Sequence, residues 1–101
     1  MLQLTSRAAA MLRDERSERG IPDSFGLRVQ RSEEHAGLRL QFVDGPLDGD
    51  EVGATEGLGV FVAPEVADAL ASQTLDVHEA AGSAGLVLRD QNPDGAWPNS
   101  L

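Results

Sequence analysis

The sequence predicts an α+β fold, in which a mostly β core of mixed or antiparallel strands carries an N-terminal helix and a short second helix. Short apolar stretches with a two-residue period alternate with turns rich in glycine and proline. Most links between these stretches are too short for a crossover helix, which favours antiparallel or mixed pairing. The length of 101 residues fits one domain. We expect this domain over residues 1–93 and a C-terminal tail over residues 94–101.

Two helices are predicted, over residues 6–19 and 64–72. Thr5 or Ser6 can cap the first helix, because a hydroxyl accepts a hydrogen bond from a free amide of the first turn. The second helix begins with a proline, whose fixed φ suits the first helical position. Residues 13–19 are wholly polar. We therefore expect the first helix to pack at its start and to be solvated towards its end.

Strands are predicted where apolar and polar residues alternate, or where a short apolar run lies between turn residues. Leu27 and Val29 share one face of the first strand, and Leu38, Leu40 and Phe42 share one face of the second. The predicted strands cover residues 25–31, 38–44, a short stretch from Val52, 58–62, 75–78 and 85–89. Together with the helices, this order predicts two strands, an acidic loop, further strands, a helix and two last strands.

Four segments carry a resemblance to a known family: FGLRV at 25–29, LQFVDGP at 40–46, GLGVFV at 57–62 and GLVL at 85–88. Their order and spacing resemble those of the HesB/IscA family, the A-type iron–sulfur cluster carriers. The resemblance extends over about residues 3–93. It implies a HesB-like (IscA-like) domain whose first two strands flank a short polar turn.

The family's cluster ligands are missing from this chain. In the family one cysteine lies between the first two strands, here within residues 32–35, and a Cys-Gly-Cys lies near the C-terminus. This chain contains no cysteine. The resemblance therefore implies a scaffold without cluster ligands and without a cofactor.

A docking role is what the resemblance implies for such a chain. The A-type domain of the NfuA-type carriers also lacks its cysteines, and it is taken to engage client proteins. The partners implied here are iron–sulfur assembly scaffolds or apo iron–sulfur proteins, and also a second copy of the chain, because family members often self-associate. Two alternatives stand beside it: a weak divalent-metal-binding protein that uses Glu33, Glu34 and His35, and a small domain with an unrelated role, since a fold does not determine a function.

The charge distribution excludes several classes of partner. The net charge is −9, and it is concentrated in residues 40–101, which hold one arginine and eleven acids, whereas residues 1–39 have a net charge of +1. Nucleic acids and anionic membranes both require clustered cations on the protein that binds them.

We also find no apolar run long enough to span a membrane and no signal peptide. A cytoplasmic protein is expected.

The predicted turn at residues 32–37 contains weak candidates for a metal site. Glu33, Glu34 and His35 are adjacent, and a neutral imidazole with two carboxylates could hold Fe²⁺ or Zn²⁺. Adjacent residues of one turn rarely converge on one metal, so a solvated turn is the favoured interpretation.

The densest group of acids lies between Asp44 and Glu56. No register of this segment satisfies the spacing of a calcium loop. A solvated acidic loop is the favoured interpretation, and the same acids are candidates for binding a partner. Trp97, in the tail, is a further candidate, since tryptophan is frequent at binding hot spots. Packing of Trp97 against the core is the favoured interpretation, because a large exposed aromatic side chain is uncommon. The partner-binding candidates are Asp44, Asp48, Asp50, Glu51 and Trp97.

No catalytic residue is predicted. The chain has no lysine, no nucleophile elbow and no glycine-rich phosphate loop followed by a helix. We therefore expect a protein that is not an enzyme.

Overall fold

The computed structural model describes residues 1–34 and 37–91. The candidates His35 and Trp97 lie outside the described residues, as does the predicted tail, so the domain limits stay a prediction. The elements, in chain order, are β1 Gln3–Leu4, α1 Ser6–Glu18, β2 Gly26–Arg31, β3 Leu38–Val43, β4 Glu51–Thr55, β5 Leu58–Val62, α2 Pro64–Leu70, β6 Gln73–Ala80 and β7 Ser83–Asp90.

The strands form two sheets with mixed pairing, which confirms the predicted α+β class. One sheet has the order β3-β2-β5-β4, in which β2 and β5 run parallel and the other neighbours antiparallel. The other sheet has the order β1-β6-β7, in which β1 and β6 run parallel and β6 and β7 antiparallel. Neither of the two helices within the described residues is long and apolar enough to cross a membrane.

The core lies between one face of the four-stranded sheet, the two helices and the base of the three-stranded sheet. The predicted inward residues Leu27 and Val29 are fully buried, and Leu38, Leu40 and Phe42 are partly buried against the same core. The alternation of apolar and polar residues along β2 and β3 therefore predicted the buried face correctly, because successive side chains of a strand point to opposite faces.

The first helix begins as predicted and differs in its polar half. The Thr5 hydroxyl accepts a hydrogen bond from the Ala8 amide at 3.1 Å, and Glu15 and Arg19 form an exposed i,i+4 pair at 2.8 Å. The prediction of a solvated end is wrong for Arg16, which is 5% exposed. Its Nη1 donates to the Phe25 carbonyl oxygen at 2.8 Å, so the guanidinium joins the helix to the start of β2.

Three further boundaries differ from the predicted ones. The strand β1 was not predicted, because two residues cannot show a period, and it pairs Leu4 with Leu75. The helix α2 ends at Leu70 rather than at residue 72. The last two strands are longer than predicted and form one hairpin of eight-residue strands. Its two-residue turn, Ala81 and Gly82, has positive φ at both positions, which is the conformation that closes a tight hairpin.

Asp76, in β6, joins this hairpin to the start of α1. Its Oδ1 accepts from the Thr5 hydroxyl at 2.7 Å and from the Val77 amide at 2.7 Å, and its carboxylate also meets Arg7 and Arg89. The Thr5 hydroxyl, the Val77 amide and the nearby arginines lower the pKa of Asp76 to about 2. These contacts therefore favour the charged form of the carboxylate in the folded state.

This lowered pKa predicts a loss of stability in acid. Since the folded pKa lies below the ordinary value of about 4, the contribution of Asp76 to the free energy of unfolding is complete above about pH 4 and is lost as the pH falls towards 2. We expect Asp76→Asn to flatten the dependence of the urea midpoint on pH in that window. Asp68→Asn, a charge-matched change on α2, should leave the slope unchanged, and an unaltered slope in Asp76→Asn would refute the assignment.

Candidate functional site

The turn between β2 and β3 is the first candidate surface. The Ser32 amide donates to the Gly37 carbonyl oxygen at 3.0 Å, and the Glu34 amide donates to the Ser32 hydroxyl at 3.3 Å. Glu33 and Glu34 are exposed. Ser32, these two glutamates, Leu38 and Arg39 line a cavity of about 330 Å³.

A metal site at this turn finds no support among the described residues. Over residues 1–34 and 37–91, no three histidine, aspartate or glutamate side chains are grouped so that they could hold a metal ion. Glu33 and Glu34 are both exposed, and His35 lies outside those ranges. What the turn presents to solvent is a pair of carboxylates beside a cavity.

The acidic segment separates into exposed acids and one buried acid. Asp44, Asp48 and Glu51 are exposed, as expected of a solvated loop. The expectation of a solvated acid is wrong for Asp50, whose side chain is 0% exposed. Its carboxylate is covered because it pairs with Arg28 of β2. The assignment of these acids to partner binding stays a prediction.

The Arg28–Asp50 pair is bidentate. Arg28 Nε lies 2.9 Å from Asp50 Oδ2, and Nη2 lies 2.9 Å from Oδ1, with the Arg28 side chain 11% exposed. Asp50 Oδ2 also accepts from the Leu47 amide at 2.9 Å, and Arg28 Nη1 donates to the Gln30 side chain. The donors of the arginine fork and both carboxylate oxygens therefore have partners, as a covered charge pair requires.

The two partners stabilise each other's charged form. The hydrogen bond from Arg28, supported by the Leu47 amide, lowers the pKa of the Asp50 carboxyl. The hydrogen bond to Asp50 raises the pKa of Arg28. The pair therefore holds the loop at residues 44–50 against the outer face of the four-stranded sheet, and its role is structural.

An aromatic ring covers two glycines on the same outer face. Phe61 of β5 is 8% exposed and lies outside the main core cluster. A Cβ atom at Gly26 would lie 2.8 Å from the Phe61 ring, and one at Gly59 would lie 3.3 Å from it. Gly26 of the segment FGLRV and Gly59 of the segment GLGVFV are thus explained by the close approach of this ring and of the neighbouring strand.

A groove beside α1 is the second candidate surface. One cavity of about 190 Å³ lies between α1, β3 and β7, and an adjoining cavity of about 500 Å³ lies between α1 and the β6–β7 hairpin. Met11 and Glu15 line both cavities. Sequence reasoning did not find this groove, because it forms where three elements distant in the chain meet.

Three solved structures share this fold. The chain is similar to Escherichia coli SufA, described as involved in biosynthesis of iron–sulfur clusters, with 20% identity, coverage of 88% of this chain and 84% of that one, and a TM-score of 0.72. It is similar to an IscA determined with its [2Fe-2S] cluster, with 24% identity, coverage of 91% and 86%, and a TM-score of 0.63. A protein from Aquifex aeolicus, solved by NMR, gives 20% identity, coverage of 88% and 90%, and a TM-score of 0.69.

These similarities confirm the HesB/IscA-like fold that the sequence segments predicted. No protein-family model matches the sequence, and no curated protein matches it significantly. At identities of 20–24%, what the chain shares with the three structures is the fold. The chain therefore has the fold of iron–sulfur assembly proteins and contains no cysteine.

Proposed function

We propose that this chain is a protein-docking domain related to iron–sulfur cluster assembly, which acts by contact and carries no cluster. One observation carries the proposal: a HesB/IscA-like fold covers about nine-tenths of the chain, and the whole chain lacks cysteine. Iron–sulfur clusters are held by soft thiolate ligands. A chain that has this fold without thiolates can still act through contacts between its surface and other proteins.

The packing supports the proposal because the fold does not depend on a cluster. The core between the four-stranded sheet and the helices is closed by apolar side chains, and the outer face of that sheet is closed by Phe61 and the Arg28–Asp50 pair. At the turn where the family has a cysteine, Glu33 and Glu34 offer carboxylate oxygens. Hard oxygen ligands suit ions such as Mg²⁺ and Ca²⁺ better than they suit a cluster.

The proposed partners are assembly scaffolds or apo iron–sulfur proteins in the cytoplasm, and the proposed role is not enzymatic. The test is a co-purification of tagged chain from extract of its native cells under anaerobic conditions and mild salt, with the retained proteins identified by mass spectrometry. We expect iron–sulfur assembly proteins or apo iron–sulfur proteins to be enriched over a tag-only control.

A second sample separates docking from cluster transfer. The tagged chain is first incubated anaerobically with iron and sulfide and then desalted before it meets the extract. We expect no visible cluster absorption and the same retained proteins, because the chain offers no thiolates. A stable cluster band, or retention that depends on the incubation, would contradict the proposal. Retention of proteins unconnected with iron–sulfur chemistry would indicate that the chain has an unrelated role.

A further inference from the structure

The groove beside α1 has an apolar floor that the fold leaves partly open. Met11 and Leu86 are half-buried, and Val77, the partner of Leu86 on the neighbouring strand β6, is buried. Leu40 and Phe42 of β3 extend this floor towards the edge of the four-stranded sheet. The two cavities share Met11 and Glu15, so their apolar linings adjoin each other along α1, between β3 and the β6–β7 hairpin.

Acidic side chains border this floor. Asp14, Glu15 and Glu18 of α1 and Glu79 of β6 line the larger cavity. Glu15 is engaged by Arg19 at 2.8 Å. Asp14, Glu18 and Glu79 are exposed and form no ion pair with any residue in the described ranges.

The one arginine that lines the larger cavity is already engaged. Arg7 Nη2 donates to the Val77 carbonyl oxygen at 3.0 Å and lies 3.4 Å from Asp76 Oδ1. Arg16 of the same helix is turned away from the groove, towards the Phe25 carbonyl oxygen. Arg19, which lines the smaller cavity, is paired with Glu15. The border of the larger cavity therefore carries more acids than arginines and is negative.

Two of these acids, Asp14 and Glu18, are placed unfavourably within their own helix. Asp14 and Glu18 are like charges four residues apart, and Glu18 is the last residue of α1, where the helix dipole is negative. The first turn of α1, where an acid would be favourable, has none. These acids are unfavourable for the helix itself, and they lie beside an open apolar surface. We infer a binding role for them, because a bound cation would relieve their repulsion.

We propose that this groove binds a basic amphipathic helix of a partner protein. Apolar side chains on one face of such a helix cover Met11 and Leu86, and flanking lysines or arginines meet Asp14, Glu18 and Glu79. Charge complementarity selects this occupant over a second copy of the chain, whose own groove would present the same negative border. The inference rests on the proposed docking function and specifies its surface.

The test uses a defined probe, a synthetic amphipathic helix of leucine, alanine and lysine, titrated into the ¹⁵N-labelled full chain and followed by NMR. We expect the largest amide shifts at Met11, Glu15, Val77 and Leu86. A peptide with glutamate in place of lysine should give no shifts. Shifts concentrated on the segment 44–51, or shifts that appear on concentrating the chain alone, would overturn the proposal, the latter by assigning the groove to self-association.

Charge-matched variants give a second readout. Asp14→Asn/Glu18→Gln removes two acids of the groove, and Asp48→Asn/Glu51→Gln removes two exposed acids elsewhere. We expect Asp14→Asn/Glu18→Gln to raise the Kd for the lysine peptide about tenfold, as the loss of two ion pairs allows. The melting temperature of this variant should be unchanged or higher. The second pair should change the Kd less than threefold. An equal increase of the Kd in the two double variants would contradict the assignment of the groove as the binding site.

The same variants distinguish failure of this inference from failure of the proposed function. If the groove variant still retains iron–sulfur assembly proteins from extract at the wild-type level, the groove assignment is wrong and the docking function stands. If the lysine peptide maps to the groove while wild-type chain retains no such proteins, the groove stands and the assignment to iron–sulfur assembly fails.

Discussion

Arg28→Met is expected to lower the free energy of unfolding by about 2–3 kcal/mol, because it leaves the Asp50 carboxylate covered and without its cation. The Asp50 side chain is 0% exposed, and two of its hydrogen bonds come from the Arg28 fork. Methionine keeps much of the apolar stem of arginine, so the loss reflects the charge rather than a cavity. As whole residues, Arg28 and Asp50 are only half-buried, so we expect less than the full cost of a deeply buried unpaired charge.

Urea unfolding of a double-mutant cycle measures this effect. Asp50→Asn removes the charge and keeps an acceptor for the Leu47 amide, which donates to Asp50 Oδ2. We expect Arg28→Met/Asp50→Asn to be more stable than Arg28→Met alone, since no buried charge then remains unpaired. Strictly additive effects of the two substitutions would contradict the assignment of a coupled pair.

Gly26→Ala is expected to lower the free energy of unfolding by about 2–3 kcal/mol through overpacking. A Cβ at this position would lie 2.7 Å from the Gly59 carbonyl oxygen and 2.8 Å from the Phe61 ring. The carbonyl belongs to the neighbouring strand β5, which is held between β2 and β4 and cannot move away without breaking the sheet.

Gly85→Ala is the matched control. Gly85 also lies in a strand, but a Cβ there meets nothing within 4 Å. We expect this variant to be as stable as the wild type or more stable by up to about 1 kcal/mol, because alanine restricts the unfolded chain. Gly26→Ala/Phe61→Leu should recover part of the loss, since it removes the ring contact and leaves the carbonyl contact. Equal stabilities of Gly26→Ala and Gly85→Ala would contradict the packing.

The elements that the sequence predicted well are those with a local signal. Leu27 and Val29 alternate with polar residues, so β2 and its buried face could be read from its own residues. Thr5 capped the first helix as expected. The strand β1 has two residues, and its pairing with β6 brings together positions about 70 residues apart. Such a strand exists because of tertiary pairing, and no periodicity reports it.

The candidate site was harder to predict because it depends on distant pairs. Arg28 and Asp50 are 22 residues apart, and nothing in the acidic segment distinguishes Asp50 from its exposed neighbours until the loop is folded over β2. Arg16 looked like a solvated helical arginine until the start of β2 supplied a carbonyl oxygen. The acids of α1 were visible in the sequence, but their meaning required the apolar floor that Leu86 contributes from the other end of the chain.

The proposed docking function requires that this scaffold bind iron–sulfur assembly partners without a cluster. The most direct measurement is the amount of those partners retained from native extract by tagged chain that has never been exposed to added iron or sulfide. We predict enrichment of identified scaffolds or apo iron–sulfur proteins over a tag-only control, at a level that incubation with iron and sulfide does not raise. Retention that appears only after a cluster has formed on the chain, or retention of no such protein at mild salt, would contradict the account.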